Sequence, residues 1–412
     1  MSTQPTMPCL IKNGRIIDPD TQMDKTADLY LREGRVEAIV PSGELSPADT
    51  HTVIDAGGLV VCPGLVDIHV HLREPGQTHK EDIASGAMAA AMGGVTSLVC
   101  MPNTIPPADT PSVLAEILVR AQRANLIKIY PVAALSKGLS GHHLTDFATL
   151  KAAGAWALSD DGLPLVNTSL MEQALLDAAR LGLPVLSHCE PETEQAERDI
   201  ALAEKTGCPV HICHVSQKET VALIRAAKAR GVKVTCETCP HYLWFTDEDA
   251  NRIGTNAKMN PPLGSDLDRQ AVIDGLIDQT IDALATDHAP HHPEEKALPW
   301  DEAPNGIIGL ETLLPAAITA LYHTGKMDLS RLISMMTLIP ATIAGVPAGK
   351  ISPGQAADVL VFDPDAVCRV DARRLASKSQ NTPFDGIELR GRVIHVFSDG
   401  RQRVKHGQLV KQ

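Results

Sequence analysis

The strongest constraint on the fold is a change of texture that repeats eight times. Short apolar runs alternate with alanine-rich stretches: GLVDIHVH at 64–71, TSLVCMPN at 96–103, IKIYPVAAL at 127–135, AWALSDD at 155–161, PVLSHCE at 184–190, PVHICHVS at 209–216, VKVTCET at 232–238 and IDALATDH at 281–288. Continuous apolar runs of this length suit strands covered on both faces, and the stretches between them have helical period. Met171, Ala174, Leu175 and Ala178 share one helix face, as do Thr220, Leu223, Ile224 and Ala227 ahead of a terminating Gly231. Eight strand–helix units in a row predict an α/β chain built as a (β/α)8 TIM-type barrel, in preference to a doubly wound sheet.

The flanks read differently. CLIKNGRIID, DLYLREG, RVEAIV and HTVIDAGGLVVC, punctuated by Asn13-Gly14 and Glu33-Gly34, look like antiparallel hairpins; DVLVFD, RVIHVFSDG and RVKHGQLV after residue 350 repeat that style. Both chain ends are therefore expected to build one small β-sandwich domain, from residues 1–62 and 350–412, around a barrel at 63–349. A chain of 412 residues exceeds the roughly 250–300 at which one core stops growing, which fits this division. With aromatics at only 3%, the core must be aliphatic.

A net charge of -13 with no basic run argues against nucleic acid as a partner. The N-terminal stretch has no basic region followed by an apolar one, and no run approaches the ~18 residues of a membrane span, so a cytoplasmic protein without membrane contact is expected. Nine scattered cysteines suit a reducing compartment. The lone CxxC at Cys236 and Cys239 sits in an apolar strand and reads as core rather than as a metal or redox site.

Barrel enzymes carry their chemistry at the C-terminal ends of the strands. Here those ends hold His69, His71, Asn103, Asp161, His188, His214 and Asp287. His69 and His71 project to the same side of the first strand, because strand side chains alternate. An isolated HxH pair is more often structural than metal-binding, but His188, His214 and Asp287 supply the companions, all of types that suit zinc or a similar ion. Four imidazoles and a carboxylate exceed what one open tetrahedral site needs, so two ions are expected. Asp161 offers a carboxylate able to bridge them, the plain alternative being an Asp-Gly turn. His79, His142, His143, His292, His323, His395 and His406 fall away from strand ends; His241 and His288 lie nearer the mouth, His288 pointing away from it in a packing or supporting role.

With these residues in place, the chain resembles the dihydroorotases. PGLVDIHVHLREPG at 63–76 is similar to their opening signature and ATDHAPH at 285–291 to their closing one; MPNT at 101–104, SDDG at 159–162, SHCE at 187–190, HVSQKE at 214–219, MNPPL at 259–263, GIIGLET at 306–312 and NTPFDG at 381–386 follow in family order. The resemblance implies two zinc ions per chain, one held by His69, His71, Asp161 and Asp287, the other by Asp161, His188 and His214. It further implies a metal-activated hydroxide that opens L-dihydroorotate to N-carbamoyl-L-aspartate, reversibly, with Asp287 as the general base, in the making of pyrimidines. Arg73 would clamp the substrate carboxylate in a bidentate fork, with Asn103, Asn260 and His291 as further substrate contacts.

Three departures from the family pattern stand out: Gly264 where arginine is usual, Asn305 where phenylalanine is common, and a short segment between Cys189 and His214. None removes a ligand. The nearest alternative is another cyclic-amide hydrolase, an allantoinase or hydantoinase. Those generally bridge their metals with a carbamylated lysine on strand four, where AWALSDDG has none. A different class of alternative is a non-catalytic scaffold for aspartate transcarbamoylase, and the full ligand set speaks against it. Association of an active enzyme with that partner, and a homodimer by base rate, complete the expectations.

Overall fold

The computed structural model describes residues 7–45 and 52–411. His51, which opens the run expected at 51–62, and residues 1–6 of the N-terminal segment lie outside these.

All eight apolar runs form strands, in order: Leu65–Val70, Val95–Cys100, Lys128–Ala134, Ala157–Ser159, Leu186–Ser187, Val210–Ile212, Val234–Thr238 and Ala283–Leu284. They pair in parallel as two groups of four. Parallel bridges close the circle: Leu158 to Val185 joins the fourth strand to the fifth, and Val70 to His288 joins the first to the eighth. Several strands are shorter than the apolar runs. The eighth is two residues long, because the chain leaves the ladder before the residues it presents at the mouth.

The barrel interior is filled by Val66, Ile68, Val99, Met101, Tyr130, Val132, Ala157 and Leu186. Ala341, Ala344 and Val346 extend that cluster. A second, larger cluster lies between strands and helices and takes Val70 from the opposite side of the HxH pair. The helix Thr168–Leu181 buries Met171, Ala174, Leu175 and Ala178, the face its period predicts. Lys218–Ala229 buries Thr220, Val221, Ile224 and Ala227, with Val221 rather than Leu223 on the deepest line. Asp82, Asn167 and Ser265 cap helices by accepting backbone N–H groups that have no partner within the helix.

The two ends of the chain meet in one nine-stranded sheet. Strand Val60–Pro63 joins the N-terminal strands to the long strands Val359–Arg369 and Glu388–Ser398. This sheet has its own apolar cluster, including Ile11, Ile16, Leu29, Leu31, Val61, Val359 and Phe397. Strand Val60–Pro63 runs almost directly into the first barrel strand, so the terminal sheet anchors the strand that carries His69 and His71. Among the described residues no helix is long and apolar enough to cross a membrane, and the nine cysteines are free thiols, Cys236 and Cys239 buried with the core.

Candidate metal centre and substrate cleft

Six side chains from five strand ends converge at the barrel mouth. His69 Nε2 lies 3.2 Å from Asp161 Oδ1 and 3.6 Å from Asp287 Oδ1. His71 Nε2 lies 3.3 Å from Asp161 Oδ2 and 3.0 Å from Asp287 Oδ1. On the other side, His188 Nδ1 is 3.2 Å and His214 Nε2 3.7 Å from Asp161 Oδ1, and those two nitrogens are 2.8 Å apart. Asp161 thus stands between two groups of imidazoles, facing His71 with one oxygen and His69, His188 and His214 with the other. His214 and Asp287, with nearby Arg73, adopt left-handed backbone (φ 37°, 47° and 60°). Such conformations are costly for residues with a Cβ and cluster at functional sites.

His71 Nε2 with Asp287 Oδ1 and His188 Nδ1 with His214 Nε2 have hydrogen-bond geometry, but the atoms at the centre of the cluster do not. His69 Nε2 and Asp161 Oδ1 are buried without a hydrogen-bond partner despite lying 3.2 Å apart. A buried polar atom left this way costs about 1–3 kcal/mol, and converging lone pairs are what a cation requires. His69, Asp161 and His214 offer ligand atoms within 4.8 Å of one another, as do His69, His71 and Asp287. The donor set of imidazole nitrogen and carboxylate oxygen fits zinc and its neighbours. Burial opposes the Asp161 carboxylate, yet the charge of His69 and contacts from His188 and His214 hold its pKa well below the usual range. Burial likewise opposes protonation of His188, while Asp161 and Glu190 raise its pKa to about 9. Protons therefore sit where a cation would displace them.

Each of the first two imidazoles is oriented from behind. His71 Nδ1 faces Asn103 Oδ1 at 2.8 Å, and His69 Nδ1 faces Glu237 Oε1 at 3.1 Å. Asn103, expected at the substrate, therefore also holds a candidate ligand. Glu237 went unremarked in the sequence, as did His211, which bonds its second oxygen. His288 turns away, receiving the Gly309 N–H at Nδ1 and facing Glu81 at 3.4 Å. His241 is buried, and burial lowers its pKa to about 4.

A cleft of about 240 Å³ opens over this cluster, lined by His71, Asp161, His188, His214 and Asp287 together with Arg73, Asn103, Asn260 and His291. His69 lies beneath it, fully buried. Arg73 donates to Pro290 O (3.1 Å) and meets His291 Nε2 (3.2 Å). Among the described residues it has no carboxylate within ion-pair distance, and burial lowers its pKa to about 10. Asn260 donates to Glu190 Oε2 at 2.9 Å, on the rim near His188. Lys80, another cleft residue the sequence did not single out, pairs with Glu295 at 3.4 Å.

Of the departures, Asn305 lines the cleft and its carbonyl meets His291 Nε2 at 2.8 Å. Gly264 does not line it: a Cβ there would come within 2.9 Å of Asp268, whose carboxylate caps the next helix. The nearest lysine to the fourth strand, Lys151, lies in the preceding helix Phe147–Ala152 and donates to Leu181 O.

Residues 60–403 match the model of the amidohydrolase family. The chain belongs to that family. Among curated relatives, the dihydroorotase of Geobacter sp. (strain M21) is 43% identical over 96% of this chain and 99% of its own. That of Aquifex aeolicus (strain VF5) is 42% identical with the same coverage of both. Among solved structures, the L-hydantoinase (dihydropyrimidinase) of Arthrobacter aurescens superposes with a TM-score of 0.90 at 27% identity, covering 98% of each chain. A D-hydantoinase from Thermus sp. gives 0.86 at 25%, covering 98% of this chain and 97% of its own. The relatives fix the metal-dependent cyclic amidohydrolase class, and the hydantoinase structures share this chain's fold over nearly its whole length.

Proposed function

We propose that this amidohydrolase is a dihydroorotase, interconverting L-dihydroorotate and N-carbamoyl-L-aspartate. The observation that carries the substrate choice is Arg73, a guanidinium buried on the cleft wall that donates to the Pro290 carbonyl and, among the described residues, has no carboxylate within ion-pair distance. A buried cation without a counter-ion is expensive, and an arriving carboxylate removes that cost through a bidentate fork. Dihydroorotate carries such a carboxylate on its ring, whereas hydantoin does not.

His69, His71, Asp161 and Asp287 would hold one divalent ion and Asp161, His188 and His214 a second, with zinc the ion that suits this donor set best. Ions bound there would supply Lewis acidity at the ring amide carbonyl and lower the pKa of a water toward about 7. Asp287 accepts that water's proton as the oxygen–carbon bond forms, then delivers it to the ring nitrogen as the carbon–nitrogen bond breaks, leaving the carbamoyl group on the aspartate product. Run in reverse, the same residue closes the ring. Arg73, Asn260 and His291 set the substrate's orientation, and Asn103 keeps the His71 ring turned toward the site.

The hydantoinase alternative has the shared fold in its favour, but the fourth strand offers Asp161 and no lysine. Comparing kcat/KM for L-dihydroorotate, dihydrouracil and hydantoin tests the reading. A preference for dihydroorotate of at least about 100-fold is expected, since a buried charged pair contributes several kcal/mol to discrimination. Equal or better hydrolysis of hydantoin would replace the assignment. We place the protein in the cytoplasm as a homodimer; light scattering, alone and with an aspartate transcarbamoylase added, reads out the mass of each assembly.

A further inference from the structure

Glu237 is a buried carboxylate, 1% exposed, on the seventh strand, which pairs with the sixth and the eighth. It touches neither the cleft nor the cluster of facing ligand atoms. Its Oε1 meets His69 Nδ1 at 3.1 Å and accepts the His214 backbone N–H at 3.2 Å. Its Oε2 is bonded by His211 Nε2, and His211 Nδ1 in turn meets Thr235 Oγ1 at 2.9 Å. The Thr235 hydroxyl can donate to Nδ1, which leaves the proton of a neutral His211 on Nε2, facing Glu237.

We infer that Glu237, braced by His211, is a positioning residue that fixes the His69 tautomer and joins both halves of the metal centre through one buried carboxylate. The inference rests on the metal-bearing reading of the site. An acceptor-only carboxylate at Nδ1 compels the ring proton to that nitrogen, so the Nε2 lone pair faces Asp161 and Asp287. The same oxygen holds the backbone of His214, which belongs to the other ligand group and has left-handed backbone there. One side chain thus sets the ring of a ligand in one group and the main chain of a ligand in the other.

Cys213 also lies within reach, making His69, Cys213 and Glu237 a three-atom group within 4.8 Å. It does not read as a further metal site. Both Glu237 oxygens are engaged, and burial holds the Cys213 thiol well above its ordinary pKa.

An amide in place of the carboxylate has a donor side. If its NH2 faces His69, the ring proton is driven to Nε2 and ligation is lost; if it faces His211, the His211 ring must turn or change tautomer. Glu237→Gln is the variant to make, with His211→Gln, which keeps a donor, as the second. Cobalt(II) binding to the metal-free chains is titrated through the visible absorption bands, alongside the ¹⁵N and ¹H histidine spectra of zinc-loaded protein and steady-state kinetics. Wild type should show a downfield Nδ1 proton on one ligand histidine. Glu237→Gln should lose that signal, bind cobalt roughly 10- to 100-fold more weakly, and lower kcat while KM changes less than about twofold. His211→Gln should fall between the two.

Cobalt affinity and proton signal unchanged in Glu237→Gln would overturn the inference. So would weakened binding that merely tracks a loss of thermal stability in both variants, since that is a packing effect. Wild type that binds no metal would instead defeat the reading of the site on which the inference stands.

Discussion

Asp161 faces four imidazoles with two oxygens, at 3.2–3.7 Å. Replacing it by alanine takes a ligand from each proposed ion and exposes two cations to mutual repulsion. Asp161→Ala should therefore lose bound metal and activity together, which elemental analysis and turnover can follow in one preparation. Retention of two ions would show that the bridge lies elsewhere. Asp287→Asn keeps the shape but cannot shuttle a proton, and kcat should fall by roughly 10²- to 10⁴-fold in both directions; a variant retaining most of its turnover would place the base on another residue. Arg73→Lys keeps the charge and loses the planar fork, so KM for both substrates should rise by roughly tenfold. Asp161 and Asp287 were legible because strand ends advertise them: a polar residue after an apolar run has few structural reasons to be there. Arg73, on the loop two residues past His71, was reached through the family resemblance. Glu237 and His211 were not legible. They sit inside apolar strands, and only the closed barrel shows that a carboxylate of the seventh meets an imidazole of the adjacent sixth and one of the first, with which it does not pair.

Elements outside the barrel hold the cleft walls, and here the sequence was least readable. The segment 376–381, between the strands Val359–Arg369 and Glu388–Ser398 of the terminal sheet, reaches the barrel mouth. Asn381 donates to Ala289 O at 3.1 Å and Gly306 O at 2.9 Å, and accepts the His291 N–H at 3.2 Å. Its motif NTPFDG was visible, but nothing local said that one side chain pins two loops some 75 to 90 residues away. Asn381→Ala leaves the His291 N–H and the Ala289 carbonyl unpaired at about 1–3 kcal/mol each, while Gly306 O keeps its bond from Lys296 Nζ. A lower urea midpoint together with a raised KM is expected, while an unchanged KM would mean the loops hold themselves. The same segment covers Glu311, whose pKa burial raises to about 7, with the nearby Glu81 charge adding to the rise and the Ala376 and Ser377 N–H groups opposing it. Raised above its unfolded value, this group contributes stability that is full below about pH 4.5 and is lost as pH rises through 7. Compared with Glu311→Gln by denaturant titration, wild type should match near pH 4 and be weaker by about 3 kcal/mol at pH 8. A constant difference across that range would refute the assignment.

At the scale of the molecule, the eightfold repeat and the two hairpin-rich ends carried the architecture. Both are patterns of periodicity, which survive without knowledge of partners. What periodicity does not encode is how far each ladder extends: strands expected at 184–190 and 281–288 keep only Leu186–Ser187 and Ala283–Leu284, since the residues beyond them serve the mouth instead of the sheet. The terminal sheet runs through Val60–Pro63 into the strand bearing His69 and His71, so the small β domain and the metal centre share one stretch of chain. The central claim is that this frame carries a two-ion dihydroorotase whose bridging carboxylate is Asp161's own. It is tested most directly by titrating zinc into metal-free protein, with bicarbonate excluded, while following L-dihydroorotate hydrolysis. The account predicts activity that rises to a plateau near two ions per chain and gains nothing from added bicarbonate. A plateau at one ion, an absolute need for bicarbonate, or no turnover of dihydroorotate at any zinc level would contradict it.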